Sequence, residues 1–110
     1  MPGEPIFHLA RREDWDADQS QPYTLSTLGR TLVDVGFIHC SFRRQVAKTA
    51  ELIFRGQTDV VVLTIDPDQV GAPIRVENLE GGDDDFPHIY GPLPRDAVVA
   101  VTPLESFAGA

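Results

Sequence analysis

The run Asp59-Val60-Val61-Val62-Leu63-Thr64-Ile65 constrains this chain most. β-Branched residues favour extended backbone, and a short apolar stretch without polar alternation marks a strand buried on both faces. Residues 59–65 are therefore expected to form a central strand. Pro5-Ile6-Phe7-His8-Leu9-Ala10 has large apolar side chains in both alternating sets and reads as a second doubly covered strand. A chain of 110 residues with 42% hydrophobic content supports one domain over residues 1–110. Its core is expected at about 5–104, with 105–110 a frayed tail.

The remaining elements follow in order. Residues 11–16, anchored by Trp15, suit one or two helical turns, and residues 18–22 a polar loop closed by Pro22. Residues 23–35 fit either a short helix, through Leu25, Leu28, Leu32 and Val35, or an ordered loop, because Gly29 and the threonines oppose a helix. Phe37-Ile38-His39-Cys40 reads as a strand leading directly into a helix over residues 42–54. Ser41 suits the N-cap, accepting from the amide of Arg43 or Arg44. Val46, Ala47, Ala50, Ile53 and Phe54 form the helix's apolar stripe, and Gly56 is the left-handed terminator. Asp66 caps a turn opened by Pro67. Ile74 and Val76 alternate with Arg75 and Glu77, as in a strand wet on one side, and residues 80–85 read as a solvated acidic loop. Residues 97–101 make the last strand, which Pro103 ends.

Nine Lys and Arg against seventeen Asp and Glu leave a net charge of −8, which repels duplex nucleic acid. The longest apolar run, Val60-Val61-Val62-Leu63, is far too short to span a membrane. A single cysteine allows no intrachain disulfide, and Met1-Pro2-Gly3-Glu4 lacks the basic and apolar regions of a secretory signal, so a cytoplasmic location is expected. A small anionic ligand is compatible with this charge if the arginines are concentrated. At the helix entrance Arg43 and Arg44 would each cost about 0.3–1 kcal/mol against the helix dipole. A bound phosphate or carboxylate offsets that cost; the alternative is two exposed arginines paired with the chain's surplus carboxylates.

His8, His39 and His88 each sit in an apolar context in distant parts of the chain. A half-buried histidine titrates near neutrality and must satisfy two ring nitrogens, so three of them pose the question of a shared cleft. A tri-histidine zinc site, and with it a metal-dependent hydrolase, is formally open, but no HxH or HExxH spacing is present and no metal is expected. Cys40 lies in opposite phase to His39 and reads as a small buried residue rather than a nucleophile. Tyr90-Gly91-Pro92-Leu93-Pro94 is either a stiff wall of the site, with Gly91 permitting close approach, or a rigid connection. Asp85, beside Phe86, is placed to face a cleft. Gly81-Gly82 is too short and too acidic to cradle phosphate.

Ile6-Phe7-His8, Gly36-Phe37-Ile38-His39-Cys40-Ser41 and Phe86-Pro87-His88-Ile89-Tyr90-Gly91-Pro92-Leu93, in this order, resemble the small bacterial DUF952 family. The resemblance extends over about residues 5–104 and includes Trp15, the Asp66-Pro67 turn and the closing Ala97-Val98-Val99-Ala100-Val101. It implies a compact α+β fold like that of the ADP-ribosyltransferases: a small, split, mixed β-sheet with one main helix and a nucleotide cleft. The implied analogy is to NAD-using transferases, including the RNA 2′-phosphotransferases. On that analogy His8 matches the position that holds the ribose hydroxyls of NAD, and His39 the position that contacts the nicotinamide-side ribose or transferred group. The family pattern places a third motif, usually a carboxylate that stabilises an oxocarbenium ion, where this chain offers Asp85, His88 and Tyr90. The implied catalytic set is then His8, His39 and His88, and the implied ligand-binding set Ser41, Arg43, Arg44, Tyr90, Gly91 and Asp85. The expected function is binding of NAD or another phosphate-bearing small molecule with ADP-ribosyl- or phosphotransferase-like chemistry. Its alternative is a non-enzymatic binding module that retains the fold.

Overall fold

The computed structural model describes residues 3–26, 30–79 and 82–107. Its middle layer is a three-stranded antiparallel sheet in the order β1-β3-β6, where β1 is Ile6–Arg11, β3 is Val60–Ile65 and β6 is Val98–Pro103. The β-branched run is the central strand, as its composition predicts. β1 pairs along its full length, from Ile6 opposite Ile65 to Arg11 opposite Val60. On the other side of β3 the register shifts between Thr64 and Ile65, where β6 carries an extra residue.

Side-chain alternation divides the core between the two faces of this sheet. Ile6, Ala10, Val61, Leu63 and Ile65 pack against Ile38, Ile89 and Leu93. Phe7, Leu9, Val60 and Val62 pack against Val46, Phe54 and Phe107. The first layer of cover belongs to a second antiparallel sheet, in the order β2-β5-β4, where β2 is Ile38–His39, β4 is Ile74–Glu77 and β5 is Phe86–Ile89. Helix α3, Val46–Ile53, covers the opposite face. Two short helices complete the set: α1 (Arg12–Asp16), where Trp15 packs on the core, and α2 (Leu32–Val35). Arg95 ties the loop after α1 in place, stacking over Trp15 at 4.7 Å and donating to the carbonyls of Trp15, Ala17 and Gln21.

Several expectations are corrected. Every strand pairing among the described residues is antiparallel, so neither sheet is mixed. The helix does not begin after Ser41, and Ser41 is not its cap. The amide and carbonyl of Ser41 both bond to Phe7, at 2.7 and 2.8 Å, which holds the residue extended. A 3-10 turn over Arg43–Gln45 intervenes, with the Gln45 side chain accepting from the Phe42 amide at 2.9 Å. Within α3 it is Thr49, not Ala47, that is buried. On β4, Val76 is 55% exposed, and Glu77 turns toward the second sheet's own aromatic residues. The acidic loop is not merely solvated, because Asp84 is held by two side chains. The tail does not fray at Ser106–Phe107: Leu104–Ser106 form a 3-10 turn and buried Phe107 meets Phe7 edge-on at 5.2 Å. Ala108, Gly109 and Ala110 lie outside the described residues, as do Thr27, Leu28 and Gly29 of the ambiguous 23–35 stretch and Glu80 and Gly81 of the loop. Asp66 does cap the turn after β3, and Gly56 does take a left-handed φ of 80°. No helix among the described residues is long and apolar enough to cross a membrane.

Leu63 is fully buried at the centre of the middle layer. Leu63→Ala is expected to lower unfolding free energy by about 2–5 kcal/mol in urea titration. Val99→Ala, at a position 59% exposed on β6, should stay within about 0.5 kcal/mol of the parent.

Candidate functional site

The site grows from the edge of β2 that faces away from β5. A buried amide or carbonyl must find a partner, and here side chains supply them. The His39 amide donates to Ser26 Oγ at 3.1 Å, and the His39 carbonyl accepts from His8 Nδ1 at 2.6 Å. A carbonyl only accepts, so the His8 proton sits on Nδ1, and Nε2 is left to accept from the Tyr23 hydroxyl at 3.1 Å. Both ring nitrogens of His8 are thereby used inside the core. Burial lowers the His8 pKa to about 4, outweighing the carbonyl contact that pulls it up.

His39 is different. It stands opposite His88 in the β2–β5 pairing, with ring centroids 5.5 Å apart, and it meets the Phe86 ring at 5.0 Å. It is only partly buried, and one side faces a cleft of about 520 Å³. Burial, then the nearby His88 and His8 rings, lower its pKa to about 4 as well. The imidazole is neutral at physiological pH.

The cleft lies between α3 and the loop preceding β5. Thr49, Leu52 and Ile53 give it an apolar wall with one hydroxyl, Lys48 stands on the helix side, and Gly82, Asp83 and Asp84 form the opposite rim. Arg44 and Asp84 clasp across its end, with Nη1–Oδ2 at 2.6 Å and Nη2–Oδ1 at 3.1 Å. Gln45 donates to the same carboxylate at 2.7 Å. The Arg44 contact, then Gln45, holds the Asp84 carboxyl well below the usual carboxylate range. Behind the floor, a void of about 10 Å³ touches His8, His39, Ser41 and Thr49, room for about one water molecule.

The expected site residues thus divide. His39 and Arg44 line the cleft. His8 and Ser41 lie behind it, Ser41 with its hydroxyl 3.1 Å from Thr49 Oγ1. Arg43 lies over the rings of Phe7 and Phe107, at 4.9 and 5.1 Å. His88 is fully buried, stacked by Phe37 at 4.1 Å and donating from Nδ1 to Glu77 at 3.0 Å. Tyr90 donates its hydroxyl to Glu77, and these contacts, Tyr90 first, hold the Glu77 carboxyl low. Gly91 serves close approach to Ala72, since a Cβ there would come within 2.7 Å of the alanine's own. Asp85 contributes its carbonyl to Gln45 at 2.8 Å. Cys40 is sealed in the core and burial pushes its thiol up. Among the described residues no three His, Cys, Asp or Glu side chains are grouped to hold a metal ion.

Gln45, Lys48, Thr49, Asp84 and Phe86 were not singled out from sequence as site residues. Thr49 lies three positions after Val46 and four before Ile53, so its helical spacing was a usable signal.

The family model described as "Protein of unknown function (DUF952)" matches residues 9–101. Three solved structures of protein CC0527 from Caulobacter crescentus are similar to this chain. Its crystal structure is 32% identical, covering 90% of this chain and 84% of that one at a TM-score of 0.76. The crystal structure of a double methionine mutant agrees in all four values. The solution NMR structure is 31% identical, covering 90% and 83% at a TM-score of 0.71. No curated protein matches the chain.

The two depressed histidines set a pH dependence. Unfolded, each takes up a proton near pH 6.5; folded, each stays neutral to about pH 4. The unfolded state therefore binds more protons in that window, and stability falls as pH drops through it. The full shift of buried His8 is worth roughly 3 kcal/mol, and half-buried His39 adds a smaller amount. Denaturant titrations from pH 7 to 4.5 should show this decline. His8→Asn should start from lower stability at pH 7 and show a flatter decline; an unchanged slope would remove His8 as its source.

Proposed function

The chain belongs to the DUF952 family, which is defined by sequence rather than by an activity, and from that premise we propose that it binds a small molecule in the cleft beside α3. The ligand is a flat ring with one phosphate-bearing end, of which a mononucleotide or a portion of NAD is the natural example. The observation that carries this reading is the neutral, partly exposed His39 imidazole at the floor of a 520 Å³ cleft. That volume is in the usual range of small-molecule sites, about 300–1,000 Å³. Phe86 and His39 supply a ring surface, Leu52 and Ile53 an apolar wall, and Thr49 a hydroxyl. With Arg44 engaged by Asp84, Lys48 is the cleft cation in no ion pair among the described residues, which suits a single phosphate better than a dinucleotide's pair.

The ADP-ribosyltransferase-like reading of the fold, and NAD as cofactor in a cytoplasmic setting, belong to this proposal. The preferred form is binding without turnover. Its support is the commitment of the groups the transferase analogy needs: His8 and His88 are engaged in the interior, Tyr90 is bonded to Glu77, and Asp85 stands outside the cleft.

Amide-shift titrations with adenosine monophosphate and with NAD test the reading. Shifts are expected at His39, Thr49, Gly82 and Phe86, with no release of nicotinamide from NAD. His39→Ala should weaken the mononucleotide at least tenfold while retaining the dispersed spectrum of a folded chain. Silence at those four positions at millimolar nucleotide would end the proposal, and nicotinamide release would replace it with the transferase reading.

A further inference from the structure

We propose that Asp84 is an internal surrogate ligand: its carboxylate fills an oxyanion site made by Arg44 and Gln45 on the cleft wall, and an external phosphate or carboxylate binds by displacing it. Four donors converge on this one side chain. They are Arg44 Nη1 at 2.6 Å and Nη2 at 3.1 Å, Gln45 Nε2 at 2.7 Å, and the Asp85 amide at 3.0 Å. Such a forked guanidinium with an added amide donor is the arrangement that recognises a planar or tetrahedral oxyanion.

One donor is pre-set, and the acceptor is not. Gln45 is buried, and its Oε1 is fixed by the Phe42 amide, which aims Nε2 at the site whether or not Asp84 is there. Asp84, by contrast, lies in the loop between β4 and β5 with its side chain 42% exposed, facing an Arg44 side chain 65% exposed. An ion pair this wet contributes little to stability and exchanges readily. Arg44, Gln45 and Asp84 all line the cleft, so an incoming anion meets the pair directly. Displacement frees the Asp84 side chain, while the bond from Gln45 Nε2 to the Asp85 carbonyl at 2.8 Å keeps the loop at the helix entrance. The oxyanion site stands apart from the nucleotide reading, in which Arg44 stays paired with Asp84 and Lys48 meets the phosphate.

Inorganic phosphate, at ionic strength matched with chloride, is the probe. Asp84→Ala should bind it at least tenfold more tightly than the parent, read as a phosphate-dependent rise in melting temperature and as shifts at Gln45 and the Arg44 side chain. Adding Arg44→Ala to that variant should abolish the gain. Asp84→Asn, which keeps the side chain's size, should move in the same direction and serves if the alanine variant folds poorly. Phosphate binding no tighter in either variant than in the parent, or a gain that survives loss of Arg44, overturns the proposal. A gain in Asp84→Ala together with a parent that ignores nucleotides would sustain this site and remove the nucleotide reading. Nucleotide binding with no phosphate gain would do the reverse.

Discussion

The arrangement rests on how the outward edge of β2 is satisfied. A strand whose neighbour is missing leaves amides and carbonyls that cost about 1–3 kcal/mol each if buried without partners. At His39 the partner strand is replaced by two side chains, the Ser26 hydroxyl on the amide and the His8 imidazole on the carbonyl. One step along β1, Phe7 pairs its backbone with Ser41. Residues 7 and 8 therefore fasten the second sheet to the first with one backbone bridge and one imidazole. At His39 side chains stand where a ladder would continue, and the two three-stranded sheets remain separate there.

With both of its backbone groups held, His39 has its ring committed to one face of the second sheet. The alternation along these strands then sorts everything else. Ile38, Pro87 and Ile89 turn inward, while Phe37, His39, Phe86, His88 and Tyr90 make an aromatic row on the other face. Glu77 accepts from His88 and Tyr90 within that row. An ionised carboxylate fixing an interior imidazole, itself stacked by Phe37, makes a stiff support next to the ring that reaches the cleft.

What was legible in the sequence was local. Val60 to Ile65 could hardly be anything but a buried strand, Asp66-Pro67 marks its turn by residue chemistry alone, and Gly56 marks a left-handed position that other residues resist. Three similar apolar contexts pose the question of a cleft shared by His8, His39 and His88, and of the three only His39 lines it. Their division of labour was not legible, because it depends on which nitrogen finds which partner 15 or 31 residues away. Ser41 shows the limit clearly. Its type and place suit an N-cap, yet a long-range bridge to Phe7 claims its backbone first, and a local preference of about 1 kcal/mol yields to that pairing. Asp84 was hidden for the same reason: in a run of three aspartates, only the folded chain distinguishes the one that meets Arg44.

The charge of the cleft has to be separated from the charge of the chain. A net −8 opposes the approach of any anion from a distance, but at physiological salt that field is screened beyond about 8–10 Å. Among the described residues that line the cleft the count is different, since Arg44 and Lys48 balance Asp83 and Asp84. Long-range attraction therefore contributes nothing to capturing a phosphate-bearing molecule here. On the proposed reading, affinity comes from contacts at close range: Lys48 on the charged end, a ring against Phe86 and the His39 imidazole. Neutrality of His39 matters for that reason. A protonated ring would draw anions of every shape, whereas on the proposed reading an uncharged one, held that way by burial beside two other histidines, discriminates by stacking.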